Sequence, residues 1–289
     1  MEKNEVRNKI YSVIDEIPTL PAVVPKLLSL MEDENSGASD ISDAISGDPA
    51  LASKILKVAN SAYYGFAQEV TTLKKAVPLL GFNMIRSLAL SIGVVHNLPS
   101  ENKLSNFSQE GLWIHSLAVA TLMQEMGKTL VKGRDASYLF VIGLLHDIGK
   151  VVLSQFFGKL FQSALQEAQD RVEAGLYSAE RRLIGLDHGE VGAMLLIRWK
   201  FPEVISGPID AHHKTELPEG ADVRDVAILR IADALPQQIG LGAGGNPAPP
   251  NIREQDLDVL QINEKQLEDL KEYSLGIQDG IYAFFDAMV

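Results

Sequence analysis

Six histidines carry most of the site chemistry open to this chain of 289 residues: His96, His115, His146, His188, His212 and His213. There is no cysteine. Disulfides, iron–sulfur clusters, thiolate zinc sites and a cysteine nucleophile are therefore excluded. Any metal must be held by His, Asp, Glu and water. Such donors suit zinc, iron, manganese or nickel, and magnesium where oxygen dominates. His146 is followed at once by Asp147, and His212 by His213. Neighbours on a helix point about 100° apart, so a His-Asp pair diverges. It becomes useful when both flank a metal, with the carboxylate bridging two ions and the imidazole binding one. Spacing alone does not assemble this site, because ligands separated by tens of residues have no shared periodicity. His96 has no second ligand type near it and reads as a satisfied core histidine.

The elements that must position these groups read as helix after helix, with no sustained period-2 strand. Asp48-Pro49 is a strong helix start, and Gly81 joins helices at about 72–80 and 82–95. The polar stretch 97–107 marks a boundary. Ser108 caps the helix carrying Trp113 and His115, and Asp135 caps DASYLFVIGLLHDIGKVVLSQFF, read as one central buried helix. Helices follow near 159–173, 178–184, 188–199, 203–213 and 222–239, and the two tryptophans, Trp113 and Trp199, read as core packing. GLGAGGNPAPP at 240–250 is the clearest linker or loop. It follows a helix and precedes prolines, which argues against a phosphate-cradling loop. The tail, 254–289, reads as one or two amphipathic helices.

Composition sets the class. With 46% hydrophobic and 22% charged residues, the chain is globular, with length for roughly one to two domains. Lys plus Arg total 26 against 38 Asp plus Glu, a net charge of −12. That balance argues against a nucleic-acid partner. MEKNEVRNKIYSVIDEI lacks an apolar core of signal-peptide length. The longest apolar runs, such as LFVIGLL before His146, fall short of the roughly 20 residues that cross a bilayer. The expectation is a soluble, cytoplasmic protein with no membrane partner.

WIHSLAVA, LLHDIGK, LDHGEVGAMLLIRW and IDAHHK resemble the second half of the HDOD family, within the HD-domain superfamily. IPTLPAVV, ISGDPALASKILKVANSAYYG and LKKAVPLLGFNMIRSLAL resemble its first half. The resemblance covers roughly residues 14–240. It implies an all-α fold: an N-terminal helical subdomain at 1–100, an HD-like bundle at 101–240, and a tail at 241–289 packing back. By the pattern of catalytic HD relatives, His115, His146, Asp147 and Asp233 match the ligands of one divalent ion. His188, His212 and His213 match those of a second, with Asp147 as the bridge. One or two ions of iron, manganese, zinc or nickel are implied. Lys150 matches a lysine close to phosphate in those relatives, so Asp147 and Lys150 are the catalytic expectation if the chain is an enzyme.

HDOD proteins act generally in signalling. The resemblance therefore implies a regulatory module working through contacts with a signalling protein. The alternative is a metal-dependent phosphohydrolase acting on a nucleotide or cyclic dinucleotide. Against catalysis, the related cyclic-di-GMP phosphodiesterases carry Gly-Tyr-Pro just after the paired histidines, whereas this chain reads HHKTELPEG. No glutamate upstream of His115 clearly matches a third-metal ligand. Substrate access discriminates the two. An enzyme needs an open cleft lined by cations such as Lys150, Arg198, Lys200 or Lys214; a regulatory module would have a capped site. The partner surface is expected around Tyr63, Tyr64 and Phe66.

Overall fold

The computed structural model describes residues 3–33, 36–98, 104–131, 136–172, 175–218 and 221–288. Among them are seventeen α-helices and no β-strand; Leu104 and Phe107 form an isolated bridge. The first six helices are α1 (Lys3–Glu16), α2 (Val23–Glu32), α3 (Ala38–Ser46), α4 (Pro49–Ala59), α5 (Leu73–Leu80) and α6 (Phe82–Val95). The bundle follows as α7 (Gln109–Leu130), α8 (Tyr138–Leu145), α9 (Ile148–Phe156), α10 (Gly158–Asp170), α11 (Gly175–Leu183), α12 (His188–Arg198), α13 (Glu203–Ala211) and α14 (Val223–Gln238). The tail forms α15 (Glu254–Leu260), α16 (Glu264–Gly276) and α17 (Gln278–Met288), three helices rather than one or two.

Local chemistry accounts for many of these boundaries. Asp48 accepts the Leu51 N–H at 3.0 Å with Pro49 at the first helical position, so α4 starts where its cap dictates. Ser108 caps α7 by accepting the Gly111 N–H at 3.2 Å. Gly81 has φ 84° and turns the chain between α5 and α6. Asp187 and Glu190 form a reciprocal capping box, each side chain accepting the other's backbone N–H, which makes His188 the first residue of α12.

The long helix expected around His146 is broken. Residues 146 and 147 form a turn between α8 and α9. His146 Nδ1 donates to Gly143 O at 2.8 Å, and Lys150 N bonds Asp147 O at 2.9 Å. Both local bonds compete with a continuous helical ladder. Asp135, the expected cap, lies outside the described residues. The stretch Tyr138–Phe156 is long and apolar enough to cross a membrane by length and composition, despite its short apolar runs, and 89% of its most apolar window is buried in the fold. It passes as the core of the bundle, with α8 packed along α7 and α9 across α12. A Cβ on Gly149 would overlap His188 O, so α9 and α12 meet backbone to backbone beside the cluster of histidines.

Buried apolar side chains run without interruption from Val6 in α1 to Met288 in α17. Residues 99–103, within the stretch marked as a boundary, lie outside the described residues. Trp113 and Trp199 are both buried, and Trp199 Nε1 donates to Pro18 O at 3.1 Å. Phe284 of α17 meets Tyr63 edge-on with centroids 5.4 Å apart. The tail thus packs onto the Asn60–Gly65 turn.

Candidate metal centre

The seven side chains named from the sequence meet at one place, brought there by five helical segments. His115 projects from the first half of α7. His146 and Asp147 occupy the break between α8 and α9. His188 opens α12, His212 and His213 follow the last turn of α13, and Asp233 lies on α14. His115, His146 and His188 have 0% exposure, Asp147 and His212 2%, and Asp233 5%. His213 is half-buried, its ring stacked on Tyr177 at 4.5 Å.

Two triads meet at Asp147, itself a member of the first. Ligand atoms of His115, His146 and Asp147 lie within 4.8 Å of one another, as do those of His188, His212 and His213. Asp147 faces both. Its Oδ1 is 3.1 Å from His188 Nε2, and its Oδ2 is 3.4 Å from His146 Nε2. Asp233 Oδ1 is 2.9 Å from His115 Nε2 and 3.6 Å from His146 Nε2. His188 Nε2 and His213 Nε2 approach to 2.8 Å.

The donors fit a divalent cation. Buried nitrogens without a hydrogen-bond partner are rare in folded proteins. Here both His146 Nε2 and His212 Nε2 are buried without one, while their Nδ1 atoms donate to Gly143 O and Ile209 O. With Nδ1 donating, Nε2 is the nitrogen that offers a lone pair once each ring is neutral, the tautomer a metal ligand requires.

Electrostatics tell the same story in the absence of an ion. Burial disfavours a charged His146, yet Asp147 and Asp233 outweigh it and raise the ring to about 10. Burial likewise opposes the charged form of His188, but Glu180 and Asp147 lift it to about 9. His212 is pushed down to about 3 by burial and by the positive rings of His188 and His146. Burial would raise Asp147, but His146, Lys150 and His188 hold it well below the usual carboxylate range. Asp233 is held low in the same way by His115 and His146. Protonated imidazoles thus supply the positive charge that a cation would supply.

Two supporting residues escape a reading of the sequence. Glu180 on α11 is fully buried, and its Oε2 accepts the His188 Nδ1–H at 2.6 Å. Nothing in the spacing marks the pair, because the chain reverses between α11 and α12 at Gly185 (φ 94°). Gln237 donates to Asp233 Oδ1 at 2.8 Å, a contact one helical turn away that periodicity could have found.

The expected cations do not line an opening over the cluster. Lys150 is 1% exposed and donates to Asp147 Oδ2 at 2.7 Å. Arg198 sits 3.6 Å from Asp15, and Lys214 pairs with Asp210 at 2.6 Å. Arg198 and Lys200 line a separate cleft with Thr19, Pro25 and Trp199. His96 is not a core histidine: it is exposed just past α6, with Nε2 2.9 Å from Met288 O.

The glycine-rich segment after α14 folds onto the cluster. Ala243 N donates to Gly111 O at 2.9 Å. A Cβ on Gly244 would lie 3.2 Å from both Asp147 Oδ2 and Lys150 Nζ. Gly244 is buried while Ala243, beside it, is exposed.

Known proteins share this architecture. A protein of Treponema pallidum (strain Nichols), described only as uncharacterized, is 27% identical over 221 residues, covering 76% of this chain and 42% of that protein. The chain thus spans less than half the length of that curated relative. The crystal structure of an HDOD domain protein of unknown function from Geobacter sulfurreducens aligns with TM-score 0.75 and 25% identity, over 98% of this chain and 96% of that one. A protein of Shewanella amazonensis SB2B, whose name proposes a phosphohydrolase, aligns with TM-score 0.74 and 25% identity, over 97% and 98% of the two chains. The model of the HDOD domain matches residues 17–215. That span holds every histidine of the cluster together with Asp147; Asp233 lies beyond it and reaches the cluster through α14. The all-helical order, the histidine cluster and the matched span agree, and the chain belongs to the HDOD domain family.

Proposed function

We propose that this chain is a regulatory module of the signal-transduction type, acting through protein contacts and holding one or two divalent ions in a closed cluster. The observation that carries this reading is the burial of Asp147 and Lys150 beneath Gly244. A phosphoester cannot reach either group while that backbone stays in place. His115, His146, Asp147 and Asp233 would hold one ion, and His188, His212 and His213 a second, with Asp147 between them. Iron, manganese, zinc and nickel all suit this nitrogen and oxygen set. The partner surface is the aromatic cleft of about 550 Å³ lined by Tyr63, Tyr64, Phe66, Leu79 and Tyr273, outside the cluster. The cytoplasm is the compartment that suits a cysteine-free signalling module.

The second reading is a metal-dependent phosphohydrolase on a nucleotide or cyclic dinucleotide. The complete set of ligand positions around Asp147 favours it. The chemistry that ions held by these residues would supply is Lewis-acid activation of water towards phosphorus. Asp147 would orient both triads through its two oxygens. Lys150 would have to leave Asp147 to meet a phosphate oxygen, and it is locked in place in this structure.

The deciding experiment is metal analysis of protein purified after growth with iron, manganese, zinc and nickel, paired with a phosphodiesterase panel. Bound metal without turnover supports the regulatory module. Turnover of any phosphoester that is lost in Asp147→Ala establishes the enzyme instead. Absence of metal under every condition removes the ion from both readings.

A further inference from the structure

The segment 240–246 does more than connect α14 to α15. Its entry is pinned: Gly240 N donates to Gln237 O at 3.2 Å, Leu241 N to Pro236 O at 2.9 Å, and Leu241 is buried. Its exit is pinned by Asn246 Nδ2, which donates to Gln237 Oε1 at 3.3 Å, and by Gly245 against Leu165 and Leu176. Between these anchors the backbone lies directly on α7. A Cβ on Gly242 (φ 78°) would overlap the His115 backbone nitrogen. A Cβ on Gly111 would press Ala243 N and O at 3.2 Å. Gly244 then covers Asp147, Lys150 and the edge of the His115 ring, with Cδ2 at 3.5 Å from its would-be Cβ. Ala243, next to it in the strap, is exposed.

We infer that residues 240–246 are a strap that governs access to the histidine cluster: closed, it shuts out phosphoester-sized ligands, and its displacement from α7 opens the site. The inference rests on the regulatory reading above and deepens it by naming access to the cluster as the regulated step. The only backbone hydrogen bond from the middle of the strap to α7 among the described residues is Ala243 N to Gly111 O. Left-handed glycines at both ends, Gly240 (φ 70°) and Gly245 (φ 85°), can absorb large backbone rotations that other residues resist.

The same glycines supply the test. Gly240→Ala strains a left-handed residue in open space, with nothing within 4 Å of its Cβ. Gly242→Ala strains a similar conformation and also drives the strap off His115. Gly111→Ala improves α7 as a helix and presses on Ala243 from the other side. The His115 ring is fully buried with its Cδ2 edge under Gly244, so the reactivity of His115 reports opening. The probe is diethyl pyrocarbonate on the metal-free full chain, read by peptide mass spectrometry, with exposed His96 as the internal standard.

The expected result is a His115 rate at least tenfold higher in Gly242→Ala and Gly111→Ala than in wild type, with a smaller rise in Gly240→Ala, where backbone strain acts without a clash. Equal His115 protection in all four proteins overturns the strap, as does a wild-type His115 as reactive as His96. Should Gly242→Ala fail to fold, hydrogen exchange on wild type decides. An Ala243 amide exchanging at least tenfold faster than the α7 amides around His115 supports local opening, and exchange only with global unfolding overturns it. No ion is needed for either readout. A wild type that binds no metal therefore defeats the metal reading alone, and a protected His115 in the variants defeats the strap alone.

Discussion

Glu180 Oε2 accepts two hydrogen bonds from one residue, His188: Nδ1–H at 2.6 Å and the backbone N–H at 2.9 Å. The pair fixes the ring so that Nε2 points at Asp147 Oδ1, 3.1 Å away. Carboxylates behind metal-bound imidazoles set ring orientation and basicity, and their loss typically weakens binding about 10–100-fold. Glu180→Gln should therefore lower metal affinity within that range while leaving the helical circular dichroism unchanged. Titration against a chelating dye measures it; a loss under about threefold would make Glu180 a structural residue only.

Metal binding should release protons. With His146 raised to about 10 and His188 to about 9, both rings are protonated at neutral pH in the metal-free chain. An ion must displace those protons. Apparent affinity should rise roughly tenfold per pH unit for each proton released, from pH 6.5 towards pH 9. Calorimetry in buffers of different ionisation enthalpy counts the protons, and a pH-independent affinity contradicts the protonated resting state.

The metal-free chain should show the opposite trend in stability. Both rings rise from an ordinary value of 6.5, so their stabilisation is complete below pH 6.5 and is lost as pH climbs through about 9 and 10. His212, pushed down to about 3, opposes folding only below pH 6.5. Melting temperature after chelation should fall between pH 7 and pH 10, and saturating metal should flatten or reverse that fall. A chelated protein that is more stable at pH 9.5 than at pH 7 would contradict the assigned ion pairs.

Asp147→Ala removes the anion shared by His146, Lys150 and His188. Deleting one partner of a buried ion pair costs about 3–5 kcal/mol because the other charge is left uncompensated. Urea unfolding of the metal-free variant should show a loss of that order, and metal analysis should show the ion gone. A variant as stable as wild type would mean that the cluster is neutral in the metal-free chain.

The aromatic cleft makes the last prediction. Tyr64 and Phe66 stack with centroids 5.9 Å apart, and Tyr63 leans on Phe284. Tyr64→Ala and Phe66→Ala should weaken partner capture by this chain without changing its metal content. Phe284→Ala should instead destabilise the fold by about 3–5 kcal/mol, because Phe284 is fully buried. If the two cleft variants leave every interaction intact, the docking surface lies elsewhere.

Much of this molecule was legible in its residues because the signals are local. Asp48 before Pro49, Ser108 before α7 and Gly81 between two helices act on backbone groups three or four positions away, so type and spacing suffice. The identity of the seven polar groups was legible too, through motif order rather than periodicity. Other features came from contacts between distant segments. His146 and Asp147 break a run that is helical in pattern, and the break turns both side chains into the cluster. Glu180 reaches His188 only because the chain doubles back at Gly185. GLGAGG read as a linker because glycine carries no side chain to announce a contact. Tertiary structure lays that backbone on His115, Asp147 and Lys150, where only residues without a Cβ let two segments approach so closely.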